Sequence, residues 1–428
     1  MEEMMIIHKP EKGLSDSLVE FRCRIDSSQG TKLLWYRIDQ TFGDFLTDLC
    51  DAPLVALILP AMALGEDISI LGKVSERLYY QLSGPYQHVL KQVIPFLNIV
   101  NITAEDLQNT AVRSPGVATG FSGGIDSFSV LADHFFSDVP QGFKITHLLY
   151  NNVGSHFQRG EQLFEKRYAR LKPVAENIGL PFIKVNSNLD SFYPDTKVKN
   201  LGFAQTHTLR NASVPLVLQG GIGRFLYSTD YDNKDVYIRA STEIAHINPI
   251  TLASISTEAV DMLSVGGEYS RVDKTIKVAE IPESYDSLDV CWMARGDGSN
   301  CSKCPKCTRT LLTFEVAGVL TRYANAFNLR TYQKEKVSVL AQIIRNSNPV
   351  FLFKPKTNVF TEYDEEIAQF AKSRNYKFPK RTYIIAWLEY LHFPRFVIGF
   401  VMNIFHLKDR ISNRLAVIKT SIFSKRDK

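Results

Sequence analysis

Apolar positions along the chain recur in two rhythms. Residues 19–24 and 33–38 alternate apolar and polar side chains, the period-two mark of half-buried strands. The Asp-Ser-Ser-Gln-Gly run at 26–30 supplies a turn between them. Residues 54–59 are a short apolar run ending at Pro60, and residues 74–96 have a helical pattern broken at Gly84-Pro85. From residue 116 the order changes. Apolar runs at 116–121, 144–150, 182–185 and 225–228 predict strands. Residues 161–177 and 207–218 predict helices among them, and Leu163, Tyr168, Leu171 and Val174 share one face of the first. Strands alternating with helices predict a parallel sheet covered on both faces. Ligands of such sheets lie beyond the carboxyl ends of the strands. After residue 320 the pattern is helical, clearest at 335–345 and 365–372, with prolines at 349, 355, 379 and 394 as punctuation. The expected organisation is α/β: an N-terminal mixed α/β domain over 1–115, a parallel-sheet nucleotide-binding domain over 116–320 and a helical C-terminal region over 321–428.

At 428 residues, 45% apolar and 22% charged, the chain has the composition of a globular protein of two or three domains. Its net charge of +5 is unevenly spread: residues 408–428 hold seven basic residues against two acidic ones. That tail accounts for the whole excess, which argues against a general polyanion-binding surface. Leu407, Ile411, Leu415, Ile418 and Ile422 fall at near-helical spacing beside Arg410, Arg414 and Lys425. The tail therefore reads either as a surface-binding amphipathic helix or as a solvated terminus. The first five residues are acidic, unlike a secretory signal. The late apolar stretch at 396–407 is shorter than the roughly 20 residues a bilayer needs. No transmembrane segment and a cytoplasmic location are the expectation. Residues 1–115 carry no catalytic motif and read as a packing or recognition module, a surface for a partner protein. Self-association is left open.

Residues 122–127 read Ser-Gly-Gly-Ile-Asp-Ser, between a predicted strand and an apolar face formed by Phe128, Val130, Leu131 and Phe135. Two glycines allow backbone N–H groups to close on an anion, and a helix opening at Asp126-Ser127 adds its positive end. This is a phosphate-binding loop without a lysine. Asn151, after the second strand, is expected beside it. Gly220 to Gly223 lack dinucleotide-loop spacing and read as a helix C-cap and turn. His156 and His246 sit in loops near strand ends; a solvated histidine is the ordinary reading of each.

Four of the six cysteines crowd together as Cys291-x9-Cys301-x2-Cys304-x2-Cys307. Pairs spaced by two residues can wrap one ion, and a fourth thiolate closes a tetrahedron. A structural Zn2+ fits four sulfurs with no open position; an iron–sulfur cluster and unliganded thiols are the alternatives. Cys23 and Cys50 read as small buried hydrophobes.

The hexamer at 122–127 resembles the loop of the PP-loop ATP pyrophosphatases, whose fold is HUP-like. With the four-cysteine knuckle about 165 residues on, the stretch 116–320 resembles the 7-cyano-7-deazaguanine synthase family. Asn300 to Arg309 is similar to that family's cysteine-rich end, and Arg210-Asn211 to its Arg-Asn pair. Lys274, near Arg271, falls where a basic residue approaches the phosphates. The resemblance implies ATP and Mg2+ as cofactors. It implies cleavage of ATP to AMP and pyrophosphate, adenylation of a carbonyl on a small molecule or macromolecule, and attack by ammonia or an amine. It assigns phosphate binding to Ser122, Gly123, Gly124 and Ser127, magnesium binding to Asp126, and charge neutralisation to Arg210 or Lys274. The family's Pro-Asp-Cys segment is absent here, and residues 242–249 stand in its place. The added flanks resemble longer relatives from bacterial anti-phage gene clusters, thought to modify a partner macromolecule. A catalytically silent nucleotide- and zinc-binding scaffold is the alternative.

Overall fold

The computed structural model describes residues 4–15, 17–155, 160–193, 201–293, 298–351, 361–394, 396–401 and 404. Its strands are β1 (Met4–His8), β2 (Glu11–Ser15), β3 (Leu18–Ser27), β4 (Gly30–Asp39), β5 (Asp67–Ser75), β6 (Ile102–Gln108), β7 (Gly116–Gly120), β8 (His147–Asn152), β9 (Phe182–Ser187), β10 (Ile222–Ser228) and β11 (Asp261–Val265). All belong to one sheet, in the order β11-β10-β7-β8-β9-β4-β3-β1-β5-β6, with β2 paired to β3. From β9 to β11 every pairing is parallel. Counted along the chain from β7, that half runs third, second, first, fourth, fifth, the doubly wound order whose direction reverses between β7 and β10. The remaining half is mixed. β4 joins it antiparallel to β9, with Tyr36 opposite Ser187, and β3 and β4 form the hairpin foreseen at 19–38.

The described residues fall into two compact units, one drawn from 1–270 and 296–298, the other from 271–295 and 299–428. β4, within the expected N-terminal domain 1–115, pairs with β9 of the expected 116–320 domain. Residues 4–108 extend the same sheet, because β4 covers the β9 edge that a five-stranded sheet would leave open. The cysteine knuckle goes with the helices after it.

In the first unit the helices are α1 (Asp51–Leu64), α2 (Glu76–Ser83), α3 (Pro85–Val93), α4 (Ile125–Leu131), α5 (Gly160–Ile178), α6 (Phe203–Val217) and α7 (Asn248–Ser254). The run at 54–59 is the middle of α1. That helix is buried from Asp51 to Met62 on every face, so it shows no periodicity to read. Pro60 lies inside it and cannot donate to the carbonyl of Ala56; the Tyr193 hydroxyl donates there instead, at 2.5 Å. The pattern at 74–96 ends β5 and then forms α2 and α3, with the break at Gly84 as expected. One core joins α1, α6 and both halves of the sheet.

The second unit contains α8 (Arg271–Val278), α9 (Ser284–Ser287), α10 (Pro305–Val316), α11 (Leu329–Ser347), α12 (Thr361–Ser373) and α13 (Lys380–Tyr390). The helices expected at 335–345 and 365–372 fall within α11 and α12. Arg309 of α10 is buried against Asp364 of α12 in a two-pronged ion pair at 2.7 and 2.9 Å, and Asn346 donates to the same carboxylate at 2.7 Å. Burial is the larger influence on Asp364 and pushes its carboxyl up, against the pull of Arg309. Among the described residues no helix is long and apolar enough to cross a membrane.

Candidate functional site

The Ser-Gly-Gly-Ile-Asp-Ser hexamer leaves the carboxyl end of β7, at the point where the strand order reverses. Thr119 locks this end by donating to the Leu226 carbonyl of β10 at 2.7 Å, and the Phe121 amide bonds to Leu149 at 2.8 Å. Gly123 has φ +74°, a left-handed conformation that glycine adopts freely, and a Cβ there would collide with Leu171 of α5. Gly124 is the N-cap of α4. Ser122 is exposed, Asp126 is half-buried, and Ser127 is buried with its hydroxyl donating to the Gly124 carbonyl at 3.0 Å. The bend is thus shaped by backbone, with its only exposed hydroxyl at Ser122.

Neighbouring strand ends bring polar groups alongside. Asn151, near the end of β8, donates through Nδ2 to Asn211 Oδ1 at 3.3 Å, while its own buried Oδ1 has no hydrogen-bond partner among the described residues. Asn211 in turn donates to the His207 carbonyl at 2.8 Å. Tyr227 of β10 meets His207 Nδ1 at 3.1 Å. Burial pushes the Tyr227 phenol up, and the negative charges of Asp230 and Asp126 push the same way. The Asp126 carboxylate is thereby within electrostatic reach of the β10 end.

Arg210 is placed differently from the expectation that it faces phosphate. Its guanidinium is buried, donates to Asp190 Oδ1 at 2.6 Å and to the Val153 carbonyl at 3.2 Å, and stacks on the Tyr193 ring at 3.6 Å. Gly154, with φ +104°, leaves room for this clamp, since a Cβ would strike the Arg210 guanidinium. Arg210 therefore fixes the loop after β8. Sequence reading missed Asp190, Gly154 and Tyr193, whose roles arise from distant pairing. Gly154 was the one visible signal, a glycine two residues after the Asn pair that ends a strand.

His246 is stacked between Tyr231 and Tyr237 at 3.9 and 4.3 Å, with Nδ1 3.1 Å from the Asp235 carbonyl. His156 and the tail from 405 lie outside the described residues. The glycines at 220, 221 and 223 are places of close approach: side chains there would meet backbone of residues 44, 45 and 114 or the Phe45 ring. Lys274 is buried in α8, in the second unit rather than the one that holds the loop.

The four cysteines do converge. Their sulfurs all lie within 4.8 Å of one another and all four residues are buried. Cys291 and Cys304 are 3.9 Å apart, Cys301 and Cys307 4.0 Å. A tetrahedron with metal–sulfur bonds of about 2.3 Å has edges of about 3.8 Å, so this spacing suits one ion rather than a multi-iron core. The amides of Cys301 and Cys304 donate to the Cys291 and Cys301 sulfurs at 3.4 and 3.2 Å. Ser302 takes φ +58° to make the turn, and Cys304 caps α10. Hydrogen bonds from the neighbouring Cys291 and Cys307 thiols pull the Cys304 thiol down from its ordinary value. The group could hold a metal such as zinc.

Neither a protein-family model, a curated protein nor a solved structure matches this chain.

Proposed function

We infer that this protein is an ATP-dependent, AMP- and pyrophosphate-forming enzyme of the PP-loop kind, which adenylates a substrate carbonyl and passes it to ammonia or an amine. The observation that carries the reading is the glycine bend at residues 122–124, set at the reversal point of a parallel sheet with a left-handed glycine at its apex. Backbone amides held in that position suit the oxygens of a triphosphate. The Asn151 Oδ1, which has no hydrogen-bond partner among the described residues, is an acceptor that a nucleotide hydroxyl or amino group would suit.

In this reading the amides of residues 122–124 and 127 hold the departing pyrophosphate, and the Ser122 hydroxyl adds a hydrogen bond. Asp126 holds Mg2+, which supplies positive charge where phosphate charge develops. Arg210 acts as a positioning residue: its pair with Asp190 keeps the 151–154 segment in place against the loop. The four cysteines hold Zn2+ as a structural ion, since four sulfurs leave no position for a reacting water. Thiols kept reduced for that purpose suit a cytoplasmic setting. The carbonyl substrate, small or macromolecular, remains a class rather than a compound, as does the amine donor.

Calorimetry of the full chain with ATP and Mg2+ tests the binding step. Saturable binding is expected, and its absence overturns the reading. Where AMP formation is measured, Asp126→Asn should abolish it with the fold intact by circular dichroism; full turnover would remove the role of Asp126.

A further inference from the structure

The second unit presents an apolar face that its own core does not use. α13 turns Ile385 and Ala386 inward, where they pack with Val337, Ala341, Ile344 and Phe351. Its other side exposes Tyr383, Ile384, Trp387 and Leu391, between 41% and 59% accessible. The helical turn that follows repeats the arrangement: Ile398 and Val401 lie against the core, while Phe396 is 78% and Phe400 66% exposed. Trp387 is held in place by the Phe351 and Tyr390 rings, at 4.9 and 5.7 Å. Large exposed side chains at two successive helical segments mark a surface that meets something apolar.

The charge along this part of the chain identifies the partner. Residues 374–428 hold 12 of the chain's 50 basic residues and 3 of its 45 acidic ones, leaving the rest net acidic. The single acid within 374–404, Glu389, is paired with Arg345 at 2.9 Å. Arg374, Lys377 and Lys380 are exposed. In sequence the apolar spacing of Phe396, Phe400 and Ile404 continues through Leu407, Ile411, Leu415, Ile418 and Ile422, with basic residues between. A second copy would bring two strongly positive faces together. Nucleic acid satisfies the charge but leaves Ile384, Leu391 and Ile404 without hydrocarbon. An anionic bilayer surface satisfies both: lipid headgroups take the cations, and the acyl boundary takes Trp, Tyr, Phe and aliphatic side chains.

We propose that the face formed by Tyr383, Ile384, Trp387, Leu391, Phe396 and Phe400, in a stretch of chain rich in Lys and Arg, docks this protein on anionic lipid membranes. The contact is peripheral, since no described helix is long and apolar enough to span. It delivers the unit to a surface and leaves the nucleotide chemistry of the other unit as a separate matter.

Co-sedimentation of the full chain with vesicles decides it. Vesicles of phosphatidylcholine with about one-third phosphatidylserine should pellet the protein, phosphatidylcholine alone should not, and high salt should weaken the effect. Trp387 emission should shift to the blue on binding, and Trp387→Phe should abolish that shift. The double variant Phe396→Ser/Phe400→Ser, altered only at exposed positions, should lower the partition coefficient about a hundredfold, as expected for two phenyl groups withdrawn from hydrocarbon. Failure to pellet with anionic vesicles overturns the proposal. So does equal binding to both compositions, full binding by the double variant, or a dimer in light scattering that the double variant dissolves. Retention on DNA or RNA with no vesicle binding assigns the face to nucleic acid instead.

Discussion

The glycine loop of the first unit and the cysteine knuckle of the second are both short, motif-like segments, yet they are built in opposite ways. The loop is made of backbone. Its shape comes from a left-handed Gly123, from α5 pressing on it through Leu171, and from strands that arrive parallel on either side. Ser122 leaves an exposed hydroxyl there, while the Ser127 hydroxyl turns back onto the Gly124 carbonyl. The knuckle is made of side chains. Four buried sulfurs lie within 4.8 Å of one another, a group that could hold a metal ion. On the function proposed above, the first segment is stable before it binds, and the second binds in order to be stable.

That contrast is most exposed to test at Cys307. Replacing it with Ser should lose the metal and unfold the second unit, because structural zinc sites contribute on the order of 10 kcal/mol. Metal analysis with calorimetry checks this: the first unit's transition should stay in place, and loss of both transitions together would break the comparison. Next in size is Arg309→Met, which leaves the buried Asp364 carboxylate without its cation and should cost about 3–5 kcal/mol by urea titration. The double variant Arg309→Met/Asp364→Leu should recover most of that loss, which separates this support from the metal.

Gly123→Ala should cost about 2–4 kcal/mol, combining the left-handed penalty with crowding against Leu171. The second unit's transition should not move, and ATP binding should fall by at least about tenfold by calorimetry. An unchanged affinity would show that the bend is only structural. The smallest effect concerns Asp51, buried in α1, where burial raises its pKa from 3.8 to about 6 despite hydrogen bonds from Ser75 and Gln219. The folded protein holds this proton over a range where the unfolded chain has released it. The contribution is therefore fully present below pH 3.8 and is lost as the pH rises through about 6. Relative to Asp51→Asn, the wild type should gain about 1 kcal/mol from roughly pH 7 to roughly pH 5, read from denaturation at each pH. A flat difference would place Asp51 in contact with water.

How much of this was legible beforehand differs between the two sites for the same reason that they are built differently. Cysteine announces a ligand by its chemistry, so the spacing of 291, 301, 304 and 307 led directly to a cluster that does converge. A serine-and-glycine run announces only a turn; its worth depends on where the turn falls. Arg210 is the instructive case. Its sequence neighbourhood suggested a cation facing phosphate, whereas Asp190, the Val153 carbonyl and the Tyr193 ring enclose it. α1 was hidden in the opposite way, by being apolar on all sides.

By itself, then, the sequence determined the period-two hairpin at 19–38, the alternation of strand and helix from 116, the glycine hexamer and the cysteine spacing, because each is written in neighbours close along the chain. Tertiary structure alone decided that residues 4–108 would extend the same sheet, that the strand order would reverse at the loop, that the knuckle would part from it into another unit, and that Arg210 would be a clamp. Those outcomes rest on pairings between residues far apart in sequence, where burial and edge-pairing choose among partners that local pattern leaves equivalent.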